Sequence, residues 1–219
     1  MVLSGVYAIV DVTTLDRMGL DAVAFGRALL TAPLAALQLR AKDVSGARMS
    51  SLARELGALS RAASVPFFVN DRVDVALLVG AGVHLGQSDI SPRDARELAE
   101  RAGRPLTIGF STHDEAQAAA ALEMPIDYLA LGPVFETTSK QRPDPVLGAE
   151  RACRIADAIR ARRSALPLVA IGGIGPSRFA ELARGFDAVA LIGALLPKAS
   201  SNPAERAVAL SSAFAGAGA

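Results

Sequence analysis

Short apolar segments alternate along this chain with longer segments whose apolar residues recur at a helical spacing. The apolar segments are nearly continuous, which is typical of parallel strands that are buried on both faces. They predict strands at 5–10, 34–39, 66–69, 82–85, 105–108, 126–131, 167–171 and 187–191. The segments between them predict helices at 20–30, 47–63, 72–79, 92–102, 114–122, 149–163, 176–184 and 203–213. Pro92 and Pro176 fit the first turns of two of these helices.

The alternation of strands and helices predicts the fold. Eight β-then-α units are the number that closes a TIM (β/α)8 barrel, an α/β fold in which helices cover a parallel sheet. A doubly wound open sheet is the alternative. No linker or change of composition divides the chain, so we predict one domain over residues 1–219. The closing stretch SSAFAGAGA, residues 211–219, is expected to be a flexible tail.

The composition argues against several classes of protein. The 219 residues are 51% hydrophobic, which is enough apolar material for a sizeable core. The net charge is only +1, whereas proteins that bind nucleic acid or membrane surfaces non-specifically carry a basic patch. No apolar stretch is long enough to span a bilayer, and no secretory signal begins at Met1. With Cys153 as the single cysteine, we expect a cytoplasmic protein with a buried, unreactive thiol.

Polar side chains gather where the predicted strands end. Gln38, Arg40 and Lys42 alternate at a spacing of two, so in an extended chain they leave the same face. Later strands run into further polar residues: Asn70, Asp71, Asp89, Ser111 and Lys140. Because TIM barrels carry their active sites at the C-terminal ends of the strands, we expect these side chains to form one site.

The charges in this group predict a magnesium-bound polyphosphate. Magnesium is usually held by one or two carboxylates, while substrate phosphates and water complete its octahedron. Asp71 and Asp89 are the candidate ligands. Arg40, Lys42 and Lys140 would neutralise the remaining phosphate charge, arginine through its planar fork and lysine as a point charge. The alternative is that these charges only pair with one another on a solvated rim.

A glycine pair after the seventh predicted strand indicates a second phosphate site. Gly172 and Gly173 let backbone N–H groups approach an anion at the start of the next helix. A phosphate site after strands seven and eight is frequent in this fold, and Ile192 and Gly193 end strand eight. A simple tight turn is the alternative. Two phosphorylated groups at one barrel mouth suggest a transferase that releases diphosphate.

The segments that carry these residues resemble the thiamine phosphate synthase family. They stand in that family's order within roughly residues 5–195: QLRAK, NDRVDVAL, GVHLGQSD, IGFSTH, DYLALGPVFETTSK and VAIGGI. The resemblance implies a Mg²⁺-dependent transferase acting on two small-molecule substrates. It would join the pyrimidine of 4-amino-2-methyl-5-hydroxymethylpyrimidine diphosphate to the ring nitrogen of 4-methyl-5-hydroxyethylthiazole phosphate. The products would be thiamine phosphate and pyrophosphate.

The resemblance also implies roles for single residues. The pyrimidine diphosphate would be held by Gln38, Arg40, Lys42, Asn70 and Lys140. The thiazole phosphate would be positioned by Thr137, Ser139, Gly173, Ile192 and Gly193. Asp71 and Asp89 would bind Mg²⁺, and Ser111 would contact the pyrimidine or the departing pyrophosphate. We assign the catalytic roles to Lys140, Arg40 and Ser111, because stabilising the leaving group's charge helps the pyrimidine substrate to ionise.

Some residues depart from the family pattern. Glu136 stands where proline is typical, Ser139 where threonine is common, and Gly193 where a serine hydroxyl is frequent. The related thiazole tautomerase is one alternative, which the segment VFET favours, although its histidine after the strand-six glycine is here Pro133. A non-catalytic barrel that binds a phosphorylated thiazole is another. The sequence leaves the oligomeric state open, and a homo-oligomer is compatible with it.

Two histidines and one long loop carry further expectations. We expect His84, between Val83 and Leu85, to be a hydrogen-bonded interior residue, and His113 to be structural. The connection 132–148 is long for a compact domain, and such loops are usually functional. We expect it to close over the substrates and exclude water.

Overall fold

In the computed structural model, which describes residues 2–137, 144–198 and 201–218, parallel strands form a closed barrel. Each strand pairs with the next in sequence, and β8 returns to pair with β1. The strands are β1 Gly5–Asp11, β2 Leu34–Arg40, β3 Phe67–Asn70, β4 Gly82–Leu85, β5 Ile108–Thr112, β6 Tyr128–Leu131, β7 Leu168–Ile171 and β8 Ala188–Leu191. The predicted TIM-type barrel is confirmed. All strands are parallel, so their C-terminal ends share one mouth.

Helices cover the outside of the barrel within the described ranges. They are α1 Val12–Arg17, α2 Ala22–Leu29, α3 Gly46–Ala62, α4 Val73–Val79, α5 Pro92–Arg101, α6 Glu115–Ala121, α7 Ala149–Arg162, α8 Phe179–Leu182 and α9 Pro203–Ala217. Single 3-10 turns cover Pro176–Arg178 and Gly193–Leu195. The α5 start follows its sequence signal, because the Ser91 side chain accepts from the Asp94 N–H and Pro92 opens the helix. In the part of the chain described, no helix is both long and apolar enough to cross a membrane.

Three aromatic rings pack against one another inside the barrel, together with smaller apolar side chains. Phe68 meets Tyr128 edge-on with ring centroids 5.2 Å apart, and Tyr7 lies 5.8 Å from Phe68 and 5.9 Å from Tyr128. Two glycines make room for these rings. A Cβ at Gly109 would lie 1.9 Å from Tyr128 Cζ, and one at Gly82 would lie 2.5 Å from the Phe68 ring. The rings therefore close the barrel below its mouth and form the floor of any site there.

The structure differs from the sequence prediction at β5 and at α1. Strand β5 covers Ile108–Thr112, whereas the apolar pattern places it at 105–108. The pattern misplaces it because Gly109 weakens the apparent strand, although the glycine is required by the Tyr128 ring. Helix α1 is absent from the prediction. It begins because the Asp11 carboxylate accepts a 2.9 Å hydrogen bond from the Thr14 N–H.

The closing stretch 211–219, which is expected to be a flexible tail, belongs largely to a helix. Helix α9 continues to Ala217, with Ser211 and Phe214 buried. Phe214 packs edge-on against Phe179, with ring centroids 5.4 Å apart. This packing stabilises a segment whose small residues suggest fraying when the sequence is considered alone.

The single cysteine lies on α7 and is only partly buried. Its Sγ is 3.4 Å from the Glu181 carbonyl oxygen, to which it donates. Burial is the largest cause that raises the pKa of the Cys153 thiol, and the nearby Asp157 and Glu181 charges raise it further. A raised pKa keeps the sulfur protonated, so the expectation of an unreactive thiol fits its surroundings.

Candidate active site

The ends of β1 and β2 carry the first ion pair of the barrel mouth. The register of these strands places Asp11 beside Arg40, and the guanidinium Nη1 of Arg40 donates to Asp11 Oδ2. Asp11 is 4% exposed, and its other carboxylate oxygen caps α1. The sequence prediction missed Asp11, although it ends a predicted strand as the other site residues do. It orients Arg40 and offsets its charge before any ligand binds.

Two predicted metal ligands lie together at the ends of β3 and β4. Burial raises the pKa of Asp71 above its ordinary range, and the adjacent Asp89 raises it further by its charge and by a hydrogen bond. Lys42 partly offsets this effect, because its Nζ is 3.3 Å from Asp71 Oδ2. Asp71 has a left-handed φ of 64°, which is unusual for a residue other than glycine and is typical of functional sites.

This pair of carboxylates fits a magnesium site in which substrate phosphates and water supply the remaining ligands. Two like charges within hydrogen-bonding reach repel each other, and a divalent cation between them would relieve that repulsion. The described residues contain no group of three or more His, Cys, Asp or Glu side chains that could hold a metal. Asp71 and Asp89 would therefore supply only part of an octahedron, as is usual for Mg²⁺ sites completed by phosphate and water.

A continuous row of hydrogen bonds crosses the barrel below the mouth. Gln38 Nε2 donates to the Tyr7 hydroxyl at 3.0 Å, and the Tyr7 and Tyr128 hydroxyls are 2.8 Å apart. The Tyr128 hydroxyl is 2.7 Å from His84 Nδ1, and His84 Nε2 is 2.8 Å from Ser111 Oγ. We name these five residues the buried hydrogen-bond chain. The expectation that His84 is a hydrogen-bonded interior residue is confirmed.

A cavity of about 910 Å³ opens beside β6, β7 and β8. Several predicted substrate-binding residues line it: Ser111, Thr137, Gly173, Ile192 and Gly193. Gly173 has a left-handed φ of 64°, and a Cβ there would lie 2.1 Å from the Glu136 carbonyl oxygen. The glycine is therefore required where the loop after β6 approaches the loop after β7.

The cavity is also lined by residues with no predicted substrate contact. Glu136 lines it, so this departure from the family pattern is part of the site. His113 lines it as well, and its Nδ1 donates to the Gly132 carbonyl oxygen while its Nε2 is 3.4 Å from Asp144 Oδ2. These contacts tie β5 to the loop after β6, which fits the structural role expected of His113. Helix α9 supplies a further wall through Glu205, Arg206, Ala209, Leu210 and Ala213.

The structure divides the predicted residues into two groups. Gln38, Arg40, Lys42, Asn70, Asp71 and Asp89 lie on β2, β3 and β4 or directly after them, and they do not line the cavity. Ser111 belongs to both groups, because it lines the cavity and is joined to Gln38 through the buried hydrogen-bond chain. Ser139 and Lys140 lie outside the described residues, so the roles predicted for them stay predictions.

The closed barrel and the polar residues at its mouth define the class, a TIM-barrel enzyme with its active site at the C-terminal ends of the strands. The particular family follows from comparison with known proteins. The family model described as thiamine monophosphate synthase matches residues 6–195, and the chain belongs to this family. Thiamine-phosphate synthases are transferases, and the predicted family is confirmed.

Individual relatives agree with this assignment. The chain is 40% identical over 178 residues to thiamine-phosphate synthase of Koribacter versatilis, covering 78% of each chain. It is 37% identical over 195 residues to thiamine-phosphate synthase of Agrobacterium fabrum, covering 88% of this chain and 86% of the relative. Among solved structures, thiamine phosphate pyrophosphorylase from Pyrococcus furiosus superposes with a TM-score of 0.82 at 31% identity. That superposition covers 97% of this chain and 96% of the other.

Proposed function

We propose that this protein makes thiamine phosphate by joining a pyrimidine diphosphate to a thiazole phosphate and releasing pyrophosphate. One observation carries the proposal: the carboxylates and cations at β2–β4 and the glycine-bounded cavity at β6–β8 form two neighbouring sites at one barrel mouth. Ser111 lines the cavity and is joined to Gln38 of the other site through the buried hydrogen-bond chain. Such a layout suits a reaction that brings two phosphorylated substrates together, because binding side by side removes the entropy cost of their encounter.

The site at β2–β4 would receive the pyrimidine diphosphate with Mg²⁺. Asp71 and Asp89 would hold the ion, which when bound supplies positive charge to the diphosphate oxygens. Lys42 contacts Asp71 in the free protein, and it would turn to the diphosphate once the ion has taken over the carboxylate. Arg40 stays fixed by Asp11 and presents its remaining donors to the mouth.

The chemical step needs charge stabilisation more than proton transfer. Departure of diphosphate leaves a positive charge on the pyrimidine methylene carbon, and the ring nitrogen of the thiazole then donates its electron pair to that carbon. Arg40, Lys42 and Lys140 would stabilise the negative charge that builds up on the leaving group. Loop 132–148 would keep water from capturing the cation, which is the role proposed for it from its length.

The thiazole phosphate would occupy the cavity beside β7 and β8. Gly173 and Gly193 line that cavity without side chains, so backbone N–H groups are accessible to a phosphate. A Cβ added at Gly193 would meet nothing within 4 Å in the described part of the chain, so the serine hydroxyl frequent at this position would fit there sterically. Thr137 and Ser139 would add hydroxyl donors from the loop after β6.

One reaction mixture separates this proposal from its alternatives. Purified protein is incubated with both phosphorylated substrates and Mg²⁺, and thiamine phosphate is measured with and without EDTA. We expect product formation that EDTA abolishes and added Mg²⁺ restores. Isomerisation of the thiazole alone would indicate a tautomerase, and binding without turnover would indicate a carrier or sensor. Either result would refute the proposal.

A matched pair of aspartate variants tests the metal assignment. Asp71→Asn should raise the Mg²⁺ concentration needed for half-maximal rate, because the amide has no charge with which to bind the ion. Asp74→Asn is the control, since Asp74 lies three residues on but pairs with the exposed Arg72. Equal Mg²⁺ dependence in the two variants would contradict the proposed role of Asp71.

The partners and the cellular location of the protein follow from the same proposal. Its substrates and products are small phosphorylated molecules, so no nucleic-acid or membrane partner is required. The near-neutral charge of +1 supports this, and we propose a cytoplasmic location because such phosphorylated substrates are made and retained there. Fractionation of the native host followed by the coupling assay would test the location, and activity confined to another fraction would refute it.

A further inference from the structure

The buried hydrogen-bond chain has a direction, because each hydroxyl group in it carries only one proton. Its members come from different strands, and it runs across the barrel floor from Gln38 to Ser111. Tyr7 is 2% exposed and Tyr128 is fully buried. Water therefore does not reach their hydroxyls, and each proton has to be donated within the chain.

The direction is set at the Gln38 end. The Gln38 amide nitrogen can only donate, so the Tyr7 oxygen accepts a hydrogen bond from it. The Tyr7 hydroxyl then donates its own hydrogen bond to the Tyr128 oxygen. The Tyr128 hydroxyl in turn donates a hydrogen bond to His84 Nδ1. With Nδ1 accepting, neutral His84 carries its proton on Nε2 and donates it to Ser111 Oγ. The Ser111 proton is left for a substrate acceptor at the barrel mouth, where β5 stands between the two proposed substrate sites.

Other arrangements of the protons either leave one hydroxyl proton without an acceptor or reverse the direction of every hydrogen bond in the chain. If His84 donated from Nδ1, Tyr128 would have to donate to Tyr7, and the Tyr7 proton would be buried without an acceptor. If the Gln38 amide were turned over, every bond would reverse and Ser111 would donate to His84. Ser111 would then offer only lone pairs to a bound substrate, which is the wrong polarity for an anion.

We propose that the buried hydrogen-bond chain fixes the Nε2–H form of His84 and thereby holds the Ser111 hydroxyl as a donor to an anionic substrate oxygen. Tyr7, Tyr128 and His84 are then positioning residues that act through Ser111. The identity of the anion, the departing diphosphate, rests on the proposed function. A donor whose direction is preset needs no reorganisation when negative charge develops, which is the most effective form of electrostatic stabilisation.

Nitrogen NMR of the free protein tests the direction without any substrate. The chain contains only two histidines, so ¹⁵N-histidine labelling gives two ring systems, and the His113→Gln variant assigns them. We expect the His84 ring to show a protonated Nε2 and an unprotonated Nδ1 at neutral pH. A protonated Nδ1, alone or together with Nε2, would overturn the proposal.

Two phenylalanine variants separate the proposed role from simple packing. Tyr128→Phe removes the donor to His84 Nδ1, so the tautomer preference should be lost and kcat should fall roughly tenfold with little change in KM. Tyr7→Phe is the matched control, because it removes an equally buried hydroxyl but leaves the Tyr128 proton with His84 as its acceptor. The Nε2–H form should survive in Tyr7→Phe. Loss of the tautomer in both variants, or in neither, would contradict the argument.

A double-mutant cycle connects the tautomer to catalysis. If Tyr128 acts through Ser111, the kcat of Tyr128→Phe combined with Ser111→Ala should equal that of Ser111→Ala alone. Multiplicative losses would overturn the proposal. Failure of the coupling assay with an intact Nε2–H signal would instead refute the proposed function, so the two failures are distinguishable.

Discussion

Alkaline pH should unfold this protein through its two tyrosines. Tyr7 and Tyr128 are the chain's only tyrosines, and both lie inside the barrel. Burial is the largest cause that raises the pKa of each hydroxyl far above the ordinary value of 10.0. The folded protein therefore keeps both phenols protonated at a pH where an unfolded chain ionises them.

The sign and size of the effect follow from proton linkage. Above about pH 10 the folded state binds two more protons than the unfolded state, so stability is intact below that pH and is lost as the pH rises. Each tyrosine lowers the free energy of unfolding by ~1.4 kcal/mol per pH unit, and the pair by ~2.7 kcal/mol. By about pH 12 the loss is ~5 kcal/mol, which is comparable with the whole stability of many domains.

Denaturant unfolding across the alkaline range measures this loss. Circular dichroism follows the fold, while near-ultraviolet absorbance follows phenolate formation, and we expect both signals to change in one transition. Tyr7→Phe should be less stable at neutral pH, because it leaves the Gln38 amide without its partner, yet its alkaline slope should be smaller by one tyrosine's contribution. Phenolate formation in the still-folded protein, with an unchanged slope in the variant, would refute the reasoning.

Three further predictions concern the site and the packing. Asp89→Ala should lower turnover at least tenfold but shift the melting temperature little, because a carboxylate at the barrel mouth contributes little to folding. Normal turnover with a strongly lowered melting temperature would contradict this. Gly109→Ala should cost ~1–3 kcal/mol or more in denaturant unfolding, since its Cβ would meet the tyrosine ring of β6 at 1.9 Å. Gly216→Ala, which has open space, is the control and should cost nothing. Phe214→Ala should cost ~3–5 kcal/mol, whereas Val208→Ala on the exposed face of α9 should be close to neutral, and equal losses would disprove the packing of α9.

The strand ends of this protein are predictable because their chemistry is local. The places of Asp71 and Asp89 after two strands predict that they act as a pair, and they do lie within hydrogen-bonding reach. The shared face predicted for Gln38, Arg40 and Lys42 requires only the period of an extended chain. The structure adds that the three differ in depth: Gln38 bonds to Tyr7 on the floor, while the two cations reach carboxylates at the mouth.

The barrel floor is not predictable from local pattern. Tyr7 and Tyr128 stand 121 residues apart and meet only because β1 and β6 face each other across the closed barrel. In the sequence each is one aromatic residue within an apolar strand. For the same reason Gly109 weakens the prediction of β5, since the ring that requires a glycine there comes from another strand. Ser211 and Phe214 show the converse, because long-range packing orders a segment of small residues.

Helix α9 has two structural roles, and a change to the helix affects both of them. It packs against β1 and α2 on the outside of the barrel, and its Ala209 and Ala213 form part of the wall around the cavity. Cleavage before Pro203 would spare every strand of the barrel as well as Asp71 and Asp89, yet it would open the cavity beside β6, β7 and β8 to bulk water.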